Sequence, residues 1–324
     1  MLTVGCLATP ADAGVGAVID SMRPPVPQTG NDTWVVSSRH APPVLGCCET
    51  IRKDRCPLPF QAHAGYLEVY HRDGCGCLRR RSMADLLASL DPTVPTVVFT
   101  HGSFITFDYF VTESPRTATV LEQAAGRRIN VVFFSWPSDG CIPACAAAVR
   151  IRERRARTYS FYLLELLRRL PPEGPGKPTI IASHSHGGEM LSATLHLLAG
   201  GAIGRRRAAN PPPVRPRALL FAPAVDANDY NPGQAFDRAL MATPAMAVVY
   251  SRQDIANMLY PLRRPLARAS LGHTGLRRKD AIKIGPLAGR VSNMDVTSMI
   301  DVRHVWSEYL DHPQILCALR SYFQ

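Results

Sequence analysis

Ile180-Ile-Ala-Ser-His-Ser-His-Gly-Gly188 is the stretch that decides the fold. It sets the pattern Ser183-x-Ser185-x-Gly187 between an apolar run, Thr179 to Ala182, and a helix-forming run from Gly187 to Leu198. A sharp strand-to-helix turn of this kind is a nucleophile elbow: it holds its central serine in a strained backbone conformation with the hydroxyl exposed. The residues two before and two after that serine must be small, because larger side chains collide with the neighbouring strand and helix. Ser183 and Gly187 meet the demand, although glycine is commoner at the first position. The five-residue pattern also arises by chance as a polar turn. Its place after T-I-I-A and before Gly187-Gly188 is what gives it weight.

Outward from the elbow, short apolar runs alternate with helical stretches. Thr96–Thr100 (T-V-V-F-T), Ile129–Ser135, Arg217–Phe221 and Met246–Tyr250 are predicted strands of the kind buried in parallel sheets. Helices are predicted over Phe107–Ala125, over the amphipathic stretch Tyr159–Leu170 that Pro171-Pro172 stops, over Gly187–Leu198, and over His312–Tyr322 at the end. Repeated strand–helix units imply an α/β fold with a mostly parallel central sheet and helices on both faces. Upstream, Thr33–Ser37 and Tyr66–His71 are β-rich, and Arg79-Arg80-Arg81 reads as a solvated face before a short helix, Met83–Leu90. Residues 1–30 are rich in Pro, Gly and Ala and read as a flexible segment. Residues 31–324 read as a single domain with a cysteine-rich insertion at about 45–78.

A serine nucleophile needs a base, and the base needs an orienting acid. Behind an elbow these follow in the order Ser, acid, His. Asp254 follows the strand Met246–Tyr250, and His304 lies near the end of the chain, so both fit. Asp226 and Asp229 are rival acids, and His273 and His312 rival bases. Asp254 also suits a helix N-cap. His184 and His186 flank the serine, and on a sharp turn their side chains are expected to point elsewhere. His101-Gly102 ends the strand Thr96–Thr100, where a backbone N–H completes the oxyanion hole. Gly102 lets that backbone turn toward a substrate carbonyl. The predicted oxyanion donors are the N–H groups of Ser103 and His186. His101, Gly102 and Phe104 are predicted to border the substrate, although a lone His101 would read as a core histidine.

Four segments resemble the α/β-hydrolase family catalogued as domain of unknown function 900, a serine-esterase-like group. They are Val98-Phe-Thr-His-Gly102 with Thr106-Phe-Asp108, Phe134-Ser-Trp-Pro-Ser138, Ala182-Ser-His-Ser-His-Gly187, and Tyr250-Ser-Arg-Gln-Asp254. The tail from His304 to Tyr309, with His312-Pro313, is similar to that family's terminal histidine segment. The resemblance implies an α/β-hydrolase fold with Ser185 as nucleophile, Asp254 as acid and His304 as base. The chain departs from the family at two places. Ser103-Phe104 stands where the family usually has an aromatic residue and then Asn, and His186 stands where it commonly has Met. These bear on the oxyanion loop and the acyl pocket and remove no catalytic group.

The expected activity is therefore hydrolysis of an ester or related acyl bond, carboxylesterase- or lipase-like, with no metal or organic cofactor. An acyltransferase on the same triad, or a fold retained for binding alone, are the alternatives. The formal charge is +11, carried almost wholly by arginine, with lysine only at 53, 177, 279 and 283. No groove-reading motif accompanies it, so no nucleic acid partner is expected; contact with an anionic membrane surface through the arginines stays open. The expected substrate is a small acyl ester or a lipid. No apolar run reaches the roughly 18 residues a spanning helix needs. Cys47, Cys48, Cys56, Cys75 and Cys77 crowd one segment and Cys141 pairs with Cys145, in spacings that do not match zinc sites. At least one disulfide is expected in the early cluster. With the small-residue site Ala11-Asp12-Ala13, that favours an exported or periplasmic protein over a cytoplasmic one.

Overall fold

The computed structural model describes residues 32–43, 58–139 and 146–324. In chain order its elements are β1 (Thr33–Ser37), β2 (Leu58–Phe60), β3 (Glu68–Arg72), β4 (Leu78–Arg81), α1 (Met83–Ser89), β5 (Thr96–Thr100), α2 (Phe107–Ala125), β6 (Asn130–Ser135), α3 (Ala146–Arg169), β7 (Thr179–His184), α4 (His186–Leu198), β8 (Ala202–Ile203), β9 (Arg206–Ala208), β10 (Arg217–Phe221), β11 (Met246–Tyr250), α5 (Ile255–Leu259), α6 (Leu271–Thr274), α7 (Arg278–Ile284), β12 (Val291–Asp295), α8 (Trp306–Leu310) and α9 (Pro313–Leu319).

Among the described residues, nine strands form one sheet in the order β12-β11-β10-β7-β5-β6-β1-β3-β4. All neighbours from β12 to β1 pair parallel, and β3 is antiparallel to both β1 and β4. This is the mostly parallel α/β sheet that the apolar runs predict. Its strands alternate faces, as the pleat demands. Val97 and Phe99 of β5 and Ile180 and Ala182 of β7 pack under α2, α8 and α9, while Val98 and Ile181 pack with Leu163, Leu166 and Leu191 of α3 and α4. In register, Thr100 lies beside Ser183 and His184 beside Phe221. The carboxyl ends of β5, β7 and β10 therefore form one edge, from which the loops carrying His101, Ser185 and Ala222 emerge together.

Several elements differ from expectation. β12 (V-S-N-M-D) is a half-exposed edge strand with no apolar run to mark it. α3 takes in the Arg-rich segment, because Arg152 and Arg157 turn inward and are buried, which breaks the usual charged-out period. The Arg79-Arg80-Arg81 face is solvated but extended, forming exposed edge strand β4; charged edges of this kind discourage pairing with other chains. The closing helix ends at Leu319 and continues as a 3₁₀ turn, Arg320–Phe323. β2, β9 and β8 form a small second sheet without a sequence signal.

Cys75 and Cys77, in the turn between β3 and β4, are exposed free thiols, as is Cys317. Neither Cys75 nor Cys77 joins the disulfide expected of the early cluster. Cys47, Cys48, Cys56, Cys141, Cys145 and the N-terminal segment 1–30 lie outside the described residues. Among the described residues, no helix is long and apolar enough to cross a membrane.

Candidate active site

Ser185 sits between β7 and α4 with φ 54° and ψ −123°. A non-glycine residue in that region costs on the order of 1–3 kcal/mol and persists only where its surroundings enforce it. Here they do. The Ser185 amide donates to Phe221 O at 3.0 Å and Gly188 N donates to Ser185 O at 2.9 Å. A Cβ at Gly187 would lie 2.7 Å from the carbonyl oxygens of Thr100 and His101, and one at Gly188 would lie 2.8 Å from the Cβ of Pro223. The demand for small residues after the serine is thus a contact with the β5 end and with the loop after β10. Ser183 is fully buried, with its Oγ donating to Leu219 O at 3.2 Å.

Asp254 and His304 meet beside this turn. His304 Nδ1 lies 2.6 Å from Asp254 Oδ2. With an ionised carboxylate there, Nδ1 is the ring nitrogen that donates, which leaves Nε2 on the far side of the ring. Asp254 also caps α5, accepting from Asn257 N at 3.0 Å through Oδ1, so its N-cap place and its contact with His304 coexist. Oδ2 further accepts from Asn257 Nδ2 at 3.1 Å and from the Tyr309 hydroxyl at 3.0 Å. Burial works against the charge of Asp254, but His304 and these donors overcome it and hold its pKa below the ordinary value. Tyr309 and Asn257 carried no sequence signal beyond Asn257 standing three residues after the cap. Tyr309→Phe is expected to destabilise the protein by about 1.5 kcal/mol, the value of a hydrogen bond to a charged group, measured as a shift in urea unfolding at constant m-value.

Ser185 and His304 line one pocket of about 450 Å³ without a direct hydrogen bond between them among the described residues. Ser103, Phe104, His184, His186, Tyr260 and Leu262 share its wall. Contrary to expectation, His184 and His186 do not point away. As the last residue of β7, His184 falls on the same sheet face as Ile180 and Ala182, and its ring packs on that of His304 with centroids 4.6 Å apart. Burial, first of all, pulls the pKa of His184 well below its ordinary value and that of His186 down to about 3, so both are neutral imidazoles.

Ser103 and His186 face each other: Ser103 Oγ is 3.0 Å from His186 Nδ1. Their backbone N–H groups have no hydrogen-bond partner among the described residues, whereas that of Phe104 is spent on Ser138 O at 3.1 Å. Gly102 presses against the nucleophile, since a Cβ there would sit 2.8 Å from Ser185 Cβ. His101 does not border the pocket. It is fully buried, stacked on Trp136, bonded at Nδ1 to Gly102 O (2.8 Å) and at Nε2 to Ser135 Oγ (3.2 Å). It braces the loop from within, as a core histidine. Phe104, at φ 64°, is half-exposed at the pocket mouth under the Arg152 guanidinium.

The rival residues are engaged elsewhere. Asp226 accepts from Arg263 at 2.8 Å and also from Arg264, and Asp229 lies 3.6 Å from Arg157. His273 belongs to α6 and His312 caps α9, both away from the pocket lining. Asp226 and Asp229 belong to a buried charge cluster beneath the pocket. In it Arg157 also pairs with Glu189 and, at 2.9 Å, with Glu153, and Arg263 reaches Glu153 at 3.0 Å. No group of His, Cys, Asp and Glu among the described residues has the arrangement of a metal site.

Solved structures of similar fold include esterase B from Lactobacillus rhamnosis inhibited by a tributyrin phosphonate. It has 11% identity and a TM-score of 0.43, over 96% of this chain and 91% of that one. Carboxyl esterase 2 from Tuber melanosporum has 12% identity and a TM-score of 0.40, over 98% and 100%. The catalytic core of acetyl xylan esterase from Trichoderma reesei has 12% identity and a TM-score of 0.38, over 72% and 100%. No curated protein matches the sequence. Residues 81–268 match the family described as alpha/beta hydrolase of unknown function, DUF900. That match takes in β5, the elbow, the strand before Asp254 and most of the sheet, and the chain belongs to this family of α/β-hydrolases.

Proposed function

We propose that the protein is a serine hydrolase that cleaves an ester or related acyl bond through an acyl-enzyme. His304 Nε2 takes the proton of Ser185 as its Oγ attacks the carbonyl carbon. Asp254 holds the imidazole in the tautomer that permits this and stabilises the imidazolium that forms. The N–H groups of Ser103 and His186 receive the oxyanion. His304 returns the proton to the leaving alcohol, and water repeats the sequence to free the acid. His186 is neutral, so when its proton sits on Nδ1 it donates to Ser103 Oγ and steadies the loop that presents the Ser103 amide.

The observation that carries the reading is the strained Ser185 beside the 2.6 Å His304–Asp254 pair in one pocket. The mainly apolar wall, with Phe104, Ile105, Leu259 and Leu262, suits an acyl chain. The test is labelling with a fluorophosphonate. Wild type is expected to gain one adduct, mapped by mass spectrometry to Ser185, with prior denaturation abolishing it. An enzyme preparation that stays unlabelled at high probe concentration would reject the hydrolase reading and favour a fold kept for binding.

A further inference from the structure

The wall of the pocket formed by α5 and the 3₁₀ turn Tyr260–Arg263 is built inside out. Ile255, Met258, Leu259 and Leu262 recur at the i, i+3, i+4, i+7 spacing of one helical face, and that face points to solvent: they are 44%, 48%, 49% and 72% exposed. The polar residues face inward. Asn257 is buried against Ala222 O and Asp254, Tyr260 donates to Ala224 O at 2.9 Å, and Arg263 is locked to Glu153 and Asp226. Burial of apolar surface therefore cannot be why this segment keeps its apolar side chains. Phe104, 49% exposed, lines the same pocket, and Leu266, four residues beyond Leu262, is 97% exposed at φ 58°. Three of these exposed apolar residues, Phe104, Leu259 and Leu262, line the pocket, and Ile255 and Met258 share the helical face of Leu259 and Leu262; apolar patches of this kind mark interaction surfaces.

The charge around the patch says what covers it. From Arg252 to Arg268 the chain carries four arginines and one carboxylate, Asp254, which is buried against His304. Arg252, Arg264 and Arg268 are exposed in the same stretch, Arg252 pairing with Asp295 and Arg264 with the buried Asp226, on a chain whose formal charge is +11. Exposed apolar side chains interspersed with arginines in one stretch match an anionic lipid surface, where the first enter the acyl boundary and the second stay among headgroups. Leu259 and Leu262 belong to both the patch and the pocket wall, so the surface is continuous with the cavity that holds Ser185.

We infer that this face docks on an anionic phospholipid surface, with the pocket mouth turned to the lipid. Docking needs no bond cleavage, so it goes beyond the hydrolase reading and stands apart from it. Co-sedimentation with vesicles tests it, comparing phosphatidylcholine alone with phosphatidylcholine containing about one-third phosphatidylglycerol. Wild type is expected to pellet with the anionic vesicles and to be released by added salt. Met258→Glu with Leu266→Glu is expected to weaken that binding roughly tenfold or more. Leu266→Ser alone, at a side chain with no packing to lose, is expected to weaken it severalfold, and unchanged unfolding curves check that both variants fold. Wild type that stays in the supernatant, or variants that bind as wild type does, would overturn the inference. So would a wild-type dimer that the double variant dissolves and that ignores vesicles, since the face would then belong to a second copy. Sedimentation reads binding and not turnover, so failure of the hydrolase reading leaves these outcomes legible.

Discussion

Ser185→Ala is expected to lower hydrolysis of a nitrophenyl ester by about 10⁴-fold or more and to leave the protein folded. Removal of a triad nucleophile costs that much because the oxyanion donors and the pocket alone supply only a small residue of the rate. Folding should survive because what holds the elbow is backbone and glycine: the Ser185 amide on Phe221 O, and Gly187 and Gly188 against the neighbouring loops. His304→Ala and Asp254→Asn should each lower the rate steeply. Either of them combined with Ser185→Ala should cost little more than Ser185→Ala alone, since residues acting as one unit are not additive. Turnover by Ser185→Ala within tenfold of wild type would sink the assignment, whatever the other variants did. Loss of activity together with lost cooperative unfolding would point to a structural role for the hydroxyl instead.

The sheet was legible because parallel strands covered on both faces must be short and apolar. β5, β10 and β11 keep the ends that their sequence runs predict, Thr96–Thr100, Arg217–Phe221 and Met246–Tyr250. Asp254 and His304 were legible through chain order, since the sheet topology fixes which loops reach the elbow. β12 was not, because a half-exposed edge strand, packed only through Val291 and Met294, needs no apolar run. The His184 and His186 rings do not turn out with the elbow, because the strand period places one against His304 and the first helical turn places the other against Ser103. The inverted face of α5 was hidden for the opposite reason. Its spacing, Ile255, Met258, Leu259 and Leu262, looks like an ordinary core stripe, and only the buried Asn257, Tyr260 and Arg263 show which side faces in. In α3 the inward Arg157 hides the helix, because its partners Glu189 and Asp229 come from distant parts of the chain.

That buried cluster gives the largest expected effect on stability. Four carboxylates, Glu153, Glu189, Asp226 and Asp229, share three guanidinium groups, those of Arg157, Arg263 and Arg264. Burial weighs on Glu189 and Asp229 among these carboxylates, so the folded state binds protons there more tightly than the unfolded chain does. Burial accordingly pushes Glu189 up to about 8 and Asp229 up to about 6, against the pull of Arg157. Arg157→Met keeps the length of the side chain and removes the charge that three of those carboxylates face. It is expected to destabilise the protein by about 3–5 kcal/mol near pH 8, the cost of leaving buried charges without their partner. The direction with pH follows from the raised carboxyl values. A group that binds its proton more tightly when folded contributes stability below its folded pKa and loses it as pH rises through that value. Removing the guanidinium raises those values further, so the deficit of Arg157→Met should shrink as pH falls from about 8 to 5, where the unfolded carboxyls are still ionised. Urea unfolding of both proteins across that range measures the difference directly. A deficit below about 1 kcal/mol at pH 8 would mean the cluster is solvated rather than buried. A deficit that grows toward pH 5 would mean the carboxylates are held ionised by Arg263 and Arg264 alone.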